Sequence, residues 1–252
     1  MAGNTAQPGT TVAQRVVALL GAFDDRHRSL TLSRLAERAG LALPTAHRLA
    51  GELVAGGLLQ RRDDGAYVVG RRTWDIGLLA PVQTDLRRAA SPFLQDIYAA
   101  TLATVHLAVR EGTEVLYVER ISGRASVPIV STVGSRLPLH CTGVGKALLA
   151  HAPPDVREAV LSRPLRRVTP YTVVQPGTLA RQLDQAVRDG YASTVEEMSA
   201  GACSVGVPIR RGTADDAEVV AALGIVVPSL KRDRSRLVAS LQVAARGIGR
   251  SL

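Results

Sequence analysis

No window of this 252-residue chain approaches ~18 consecutive apolar residues, which excludes a membrane-spanning helix. Cysteine is scarce as well. Cys141 and Cys203 are the only two, too few for a disulfide framework, so a reduced, cytoplasmic setting is expected. The start, Met1 to Thr11, has neither a basic cluster nor an apolar stretch and carries Gly3, Pro8 and Gly9. It reads as a loose tail over 1–10 rather than a signal peptide. Lysine is nearly absent: of 31 basic residues only Lys146 and Lys231 are lysine. That is the mark of a GC-rich coding sequence, so the number of arginines by itself identifies no site.

What is present is enough for a core. Hydrophobic residues make up 46% and charged residues 21%, which argues against wholesale disorder. The net charge of +9 suits a polyanionic partner. It does not locate one, because residues 1–80 hold 10 basic and 7 acidic side chains and residues 81–252 hold 21 and 15. Per residue the two parts are equally basic, so local pattern has to decide.

In the first eighty residues the pattern is specific. Val12, Val16, Leu19, Leu20 and Phe23 mark one face of a helix. A second helix starts at Thr31 or Ser33, buries Leu32, Leu35, Ala36 and Ala39, and is closed by Gly40. A third begins with Pro44 at its first position, turns Ala46, Leu49, Ala50 and Leu53 inward and ends at Gly56-Gly57. Two short extended runs, Leu58–Arg62 and Ala66–Val69, flank Asp63-Asp64-Gly65 as a hairpin. Three helices and a hairpin form the winged helix-turn-helix order, in which the third helix enters the major groove and the wing follows the backbone. Thr45, His47 and Arg48 supply donors and acceptors on the outer face of that helix, and Arg61, Arg62, Arg71 and Arg72 suit phosphates. The candidate DNA-facing set is Thr31, Ser33, Pro44, Thr45, His47, Arg48, Arg61, Arg62 and Tyr67. The alternative is a small-molecule sensor whose helical head contacts protein rather than DNA.

Beyond residue 80 the pattern changes. A linking helix is expected over 81–91, with Pro92 opening a second domain, 92–252, whose first helix buries Phe93, Leu94, Ile97 and Tyr98. Strands are expected at Thr104–Arg110, Glu114–Ile121, Val127–Val133, Tyr191–Glu196, Cys203–Arg210 and Glu218–Val227. Helices are expected at Gly143–His151, Pro154–Leu161, Leu179–Asp189 and Arg234–Arg250. Together these give an α+β layered domain with a mostly antiparallel sheet.

Three features suggest chemistry and fail. Gly143-Val144-Gly145-Lys146-Ala147 lacks the glycine of a phosphate loop, with His140 in its place, and lacks Ser or Thr after the lysine. Cys141 and Cys203, with His106, His140 or His151, have no close metal-ligand spacing, and a buried cysteine is ordinarily a small apolar filler. Glu196-Glu197, as strand neighbours, would point to opposite faces. No catalytic group, metal site or cofactor is expected, and the chain does not read as an enzyme.

Several segments, taken in order, resemble one family. They are Leu30–Leu41, Thr45–Leu49, Gly57-Leu58-Leu59, the wing Asp64–Gly70, Thr104–Ala108, Leu137–His140 with Gly145–Ala150, and Gly190-Tyr191 followed by Glu196-Glu197. In them the chain resembles the IclR family of bacterial transcriptional regulators. The resemblance implies a winged helix-turn-helix head, a linker and a GAF-like effector-binding domain, assembled as a dimer or tetramer on double-stranded operator DNA. It places the effector between the concave sheet face and the helix starting near Gly143-Val144. The positions it implies are Leu139, Gly143, Val144, Thr194, Cys203, Val205, Gly224 and Val226. The chain departs from the family at Ala42, Leu43 and Pro44, so the operator sequence does not transfer. It departs again on Ala221–Val227, which offers no polar side chain. The expected effector is therefore larger or more apolar than glyoxylate or pyruvate. The alternative is that these positions line ordinary core and the domain only dimerises.

Overall fold

Capping chemistry sets where the chain first becomes helical. The computed structural model describes residues 10–24, 26–124, 126–211 and 218–252; the expected tail over 1–10 lies, apart from residue 10, outside them. Thr11 Oγ1 accepts from Gln14 N at 3.2 Å and Gln14 Oε1 accepts from Thr11 N at 2.8 Å. This reciprocal box starts α1, Val12–Leu20. A two-residue strand β1, Ser29–Leu30, precedes α2, Leu32–Ala39. Thr31 caps α2 and Gly40 ends it at φ 64°, a left-handed conformation that costs glycine nothing. Helix α3, Leu43–Ala55, starts one residue earlier than Pro44 indicates and has no side-chain cap.

The hairpin is β2, Leu59–Arg61, and β3, Tyr67–Val69; β1 joins it to give the antiparallel order β1-β3-β2. Leu19, Leu35, Ala46, Leu49 and Leu59 form the centre of a core closed by these elements. Gly70 lies so close to the turn after α3 that a Cβ there would sit 2.2 Å from Gly57 O. A fourth helix follows, α4, Arg71–Gly77, which the sequence reading did not foresee. It has no buried residue, so no apolar period marks it.

The chain divides into two compact units, with the boundary after Pro81. In the second unit the expected break at Pro92 does not occur. One helix, α5, runs Thr84–Thr101 with Pro92 inside it. Leu86, Ala90, Leu94 and Ile97 are buried along a single stripe through the proline. Burying Leu86, Leu94 and Ile97 is worth ~1.5–3 kcal/mol each, which exceeds the ~3 kcal/mol of an internal proline. Pro92 itself is exposed, so the carbonyl it cannot serve faces water.

The sheet of this unit has the order β6-β5-β4-β9-β8-β7, and every pairing is antiparallel. Its strands are β4 (Thr104–Glu111), β5 (Glu114–Ile121), β6 (Arg136–Pro138), β7 (Ala192–Val195), β8 (Cys203–Arg210) and β9 (Val219–Val227). Period-two alternation divides its faces. Val105, Leu107, Cys203, Val205, Val207, Leu223 and Ile225 pack with α5 and the last helix, α9, Arg234–Arg250. Ala108, Val115, Tyr117 and Ala222 pack with α6 (Gly143–Ala150), α7 (Pro154–Leu161) and α8 (Pro176–Asp189).

The third strand is not where the alternation at Val127–Val133 places it. Pro128 has no N–H to donate, and the edge of β5 is taken by Arg136–Pro138. Residues 129–131 instead lie as irregular chain over the sheet face that also carries α6.

Candidate functional site

Two cross-strand rows make the floor of a cavity in the second unit. Thr104, Val226, Ser204 and Thr194 stand side by side on β4, β9, β8 and β7; His106, Gly224 and Gly206 form the adjacent row. Across from His106 on β5 is Arg120. The start of α6 closes the cavity from above. It can come that close because the floor lacks side chains beneath it. A Cβ on Gly206 would meet Gly143 C at 2.4 Å, and one on Gly224 would meet Val144 Cγ1 at 2.4 Å. Val144 thus fills the space a side chain at 224 would take.

The cavity holds about 470 Å³ of empty space, its open mouth included. His106, Tyr117, Ser131, Thr142, Thr194 and Ser204 bring polar side chains; Ile129, Val130, Leu137, Met198 and Val226 are apolar wall. Among the described residues no Asp, Glu, Lys or Arg lines it. Thr194 Oγ1 and Ser204 Oγ are 2.6 Å apart, and Ser204 Oγ accepts from Gly143 N at 3.1 Å. Thr142 caps α6 by accepting from Gly145 N at 3.1 Å. Val144, second in the helix, has an N–H that helix geometry leaves without an intrahelical acceptor. His106 Nε2 is 2.9 Å from Ser131 Oγ, and its ring meets Tyr117 edge-on at 4.9 Å. Burial, aided by the charge of Arg120, pushes the His106 pKa down to about 3, so the ring is neutral at ordinary pH. Burial likewise raises Tyr117. The side chains that line the site are uncharged, with the Arg120 guanidinium beside His106 at one end and the dipole at the start of α6 at the other.

Of the sequence-derived effector positions, Gly143, Val144, Thr194, Val205, Gly224 and Val226 come together at this cavity. Two do not. Cys203 points to the opposite sheet face, in the core with α5 and α9, and Leu139 is buried beneath α6. Val205 also turns its side chain into that opposite core. Sequence reasoning missed His106, Tyr117, Ser131 and Ser204. The available signal was a polar residue at alternate positions of apolar strands, as at His106 between Val105 and Leu107.

Behind the cavity Lys146, only 1% exposed, holds Glu197 Oε1 at 2.5 Å and Gln182 Oε1 at 2.8 Å. The main chain of Glu196 and Glu197 is held by Thr169 and Thr172 hydroxyls at 2.7 Å. Glu196 lies just past β7 and accepts from Gly201 N, so the two carboxylates do diverge, but in a loop rather than along a strand. Burial pushes the Cys141 thiol up to about 12 and raises Cys203 as well, which keeps both as thiols. Among the described residues no cluster of His, Cys, Asp or Glu is set to hold a metal. No described helix is long and apolar enough to cross a membrane.

In the first unit a cleft between α3 and the hairpin is lined by His47, Arg48, Gly51, Val54, Arg61 and Tyr67. His47, Arg48 and Arg61 are exposed around it. Tyr67 is not a surface group. It is 3% exposed and belongs to the core, with Arg61 5.9 Å above its ring. Arg48 Nη1 is 2.5 Å from Glu52 Oε1, one turn on. Thr31 is engaged in capping α2, accepting from Arg34 N at 3.4 Å. Ser33 and Pro44 are exposed at the starts of α2 and α3, and Thr45 is half-buried. Arg62 is exposed at the hairpin tip, 3.8 Å from Asp64.

Comparison with known proteins settles what these two units are. The IclR helix-turn-helix domain matches residues 12–63. The C-terminal domain of the bacterial transcriptional regulator IclR matches residues 80–250. The chain belongs to the IclR family. KipR of Bacillus subtilis, named an HTH-type transcriptional regulator, is 30% identical over 77% of each chain. AllR of Escherichia coli K12, named a transcriptional repressor, is 30% identical over 92% of this chain and 86% of its own. An IclR homolog from Microbacterium hydrocarbonoxydans, crystallised in complex with 4-hydroxybenzoate, is 38% identical. It superposes with a TM-score of 0.88 over 96% of this chain and 99% of its own. An IclR-type chain is a DNA-binding transcriptional regulator, not an enzyme.

Proposed function

We propose that this regulator binds operator DNA as a dimer or tetramer, and that a small aromatic acid in the cavity alters its affinity for that DNA. The head would insert the exposed face of α3, with Pro44, Thr45, His47 and Arg48, into the major groove. Thr31, Ser33, Arg61 and Arg62 would meet the backbone. The boundary after Pro81 supports a head over 11–80; α5 belongs to the core of the second unit from Leu86 onward, so the effector domain takes in the expected linking segment over 81–91 as well as 92–252. Trp74 (59% exposed), Ile76, Leu78 and Leu79 (82%) leave an apolar run on and after α4 that supports self-association. The setting we infer is cytoplasmic.

The effector reading rests on the lining of the cavity. Among the described residues its lining carries no charged side chain, its wall is largely apolar, and the start of α6 attracts an anion at one end. That combination suits a single carboxylate carried on an apolar body, as in the 4-hydroxybenzoate held by the Microbacterium homolog. Glyoxylate and pyruvate would leave the wall unfilled.

The test is a mobility-shift titration on the DNA upstream of the chain's own gene, at two salt concentrations, with excess competitor and with or without 4-hydroxybenzoate. A competitor-resistant shift that weakens with salt and changes with the acid is expected. A head that contacts protein would give no such shift on any genomic fragment. Micromolar binding of glyoxylate or pyruvate by calorimetry would overturn the effector class.

A further inference from the structure

The two ends of the cavity floor differ in how well their polar atoms are served. Towards β8 and β7 they are paired among themselves, through Thr194, Ser204 and Gly143. What that end has to offer a ligand is the start of α6. At the β4 end His106 Nε2 bonds Ser131 Oγ, and Arg120 Nη1 donates to Ser131 O at 2.8 Å. Here, too, are two buried side-chain atoms without a partner among the described residues, Thr104 Oγ1 and Arg120 Nε. Thr104 is two residues from His106 on the same face of β4, and Arg120 is directly across from His106 on β5. Thr104 is fully buried. A buried polar atom left unbonded is costly; neither Thr104 nor Arg120 lines the cavity, but both stand beside His106, which does.

Spacing argues that this end is separate from the α6 end. His106 is on β4, whereas the start of α6 rests on Gly206 of β8, two strands away. Two strand spacings are about 10 Å, the span of one six-membered ring with a hydrogen bond at each end. Between the ends, β9 contributes only Gly224 and Val226, and Val144 covers Gly224. The middle is therefore apolar.

We propose that the cavity reads its ligand at two poles, and that His106 with Ser131 is the specificity-determining second pole, which recognises a hydroxyl group opposite the acid. This rests on the reading of the cavity as the site of an aromatic acid. A hydroxyl both donates and accepts, so it can join the neutral His106–Ser131 pair without displacing a charge. Ser131 belongs to the irregular 129–131 segment that covers the cavity, so a ligand engaging it also engages that cover.

The experiment is calorimetry of the full chain with benzoate, 3-hydroxybenzoate and 4-hydroxybenzoate, repeated on Ser131→Ala and His106→Phe. The wild-type protein should bind 4-hydroxybenzoate about tenfold tighter than benzoate, the effect of one neutral hydrogen bond. Each variant should bring the ratio of the two affinities close to one. Ser131→Ala removes only a hydroxyl, which keeps the test decisive if His106→Phe fails to fold. Benzoate binding with no hydroxyl preference, or a preference that survives both variants, overturns the second pole and leaves the aromatic-acid reading standing. Binding of none of the three acids overturns both.

Discussion

Arg48 stands on the exposed face of α3 already engaged, 2.5 Å from Glu52 one turn further on. Such exposed pairs are worth only ~0.3–0.5 kcal/mol, so DNA can take the guanidinium at little cost. Arg48→Ala should weaken operator binding by ~1–3 kcal/mol if Arg48 reads a base, with little change in unfolding temperature. Competitive mobility shift measures the first, and unchanged affinity would remove the role. Gly224 makes a different kind of test, because its missing side chain is what lets Val144 sit against the sheet. Gly224→Ala should destabilise the second unit by ~1–3 kcal/mol through overpacking. Adding Val144→Ala should recover most of the loss, read as a double-mutant cycle in thermal unfolding. These residues also show how far the site was legible. Gly143, Val144, Thr194, Gly224 and Val226 were reached through the family's motifs. His106 is weighed in the sequence only as a partner for the cysteines, because a lone histidine in an apolar strand gives no sign of which neighbour it will meet. Cys203 was misassigned by one position: on a strand that exchanges one face for the other, and Ser204 is the residue facing the cavity.

At the scale of elements, what was legible followed from local rules. The capping of α2 by Thr31 and Gly40 and the bounds of α7, β8 and α9 rest on capping residues, Pro/Gly punctuation and period, all within a few neighbours in sequence. What was not legible depended on tertiary contacts. Pro92 stays inside α5 because the buried stripe continues past it, and Val127–Val133 is no strand because another segment takes the edge of β5. The link from α6 to the loop after β7 is of the same kind, a buried pair of Lys146 with Glu197 that residues 51 positions apart could not announce. That loop carries Met198, Ser199 and Ala202 to the cavity, so the pair fixes two of its walls relative to each other. Lys146→Met alone would leave Glu197 buried without a counter-charge and should cost ~3–5 kcal/mol in urea unfolding. Lys146→Met combined with Glu197→Leu should regain most of that stability. If the double variant is as unstable as the single one, the pair is not acting as a charge-compensated strut.

Across the whole molecule, the proposed regulation would pass between two units that each have their own core, and a ligand can shift the balance of two states only as far as it binds one more tightly than the other. The stability of the second unit would therefore bear on the proposed response, and its dependence on pH follows from its histidines. His106, His140 and His151 all lie beyond Pro81, and burial lowers the pKa of each below the ordinary value. For His106 the folded value is about 3, against an unfolded value of 6.5. Between those two the unfolded chain holds the extra proton, so acid favours unfolding. Stability from this group is complete above ~6.5 and is lost progressively as pH falls towards 3. At pH 5 the loss from His106 alone is about 2 kcal/mol. His140 and His151 act in the same direction. Urea unfolding at pH 7 and pH 5, followed by a probe in the second unit, should show a marked drop in the midpoint. His106→Phe removes one titrating group and should reduce that drop by about 2 kcal/mol in unfolding free energy. An identical drop in the variant would mean that His106 is protonated in the folded protein, against its burial beside Arg120.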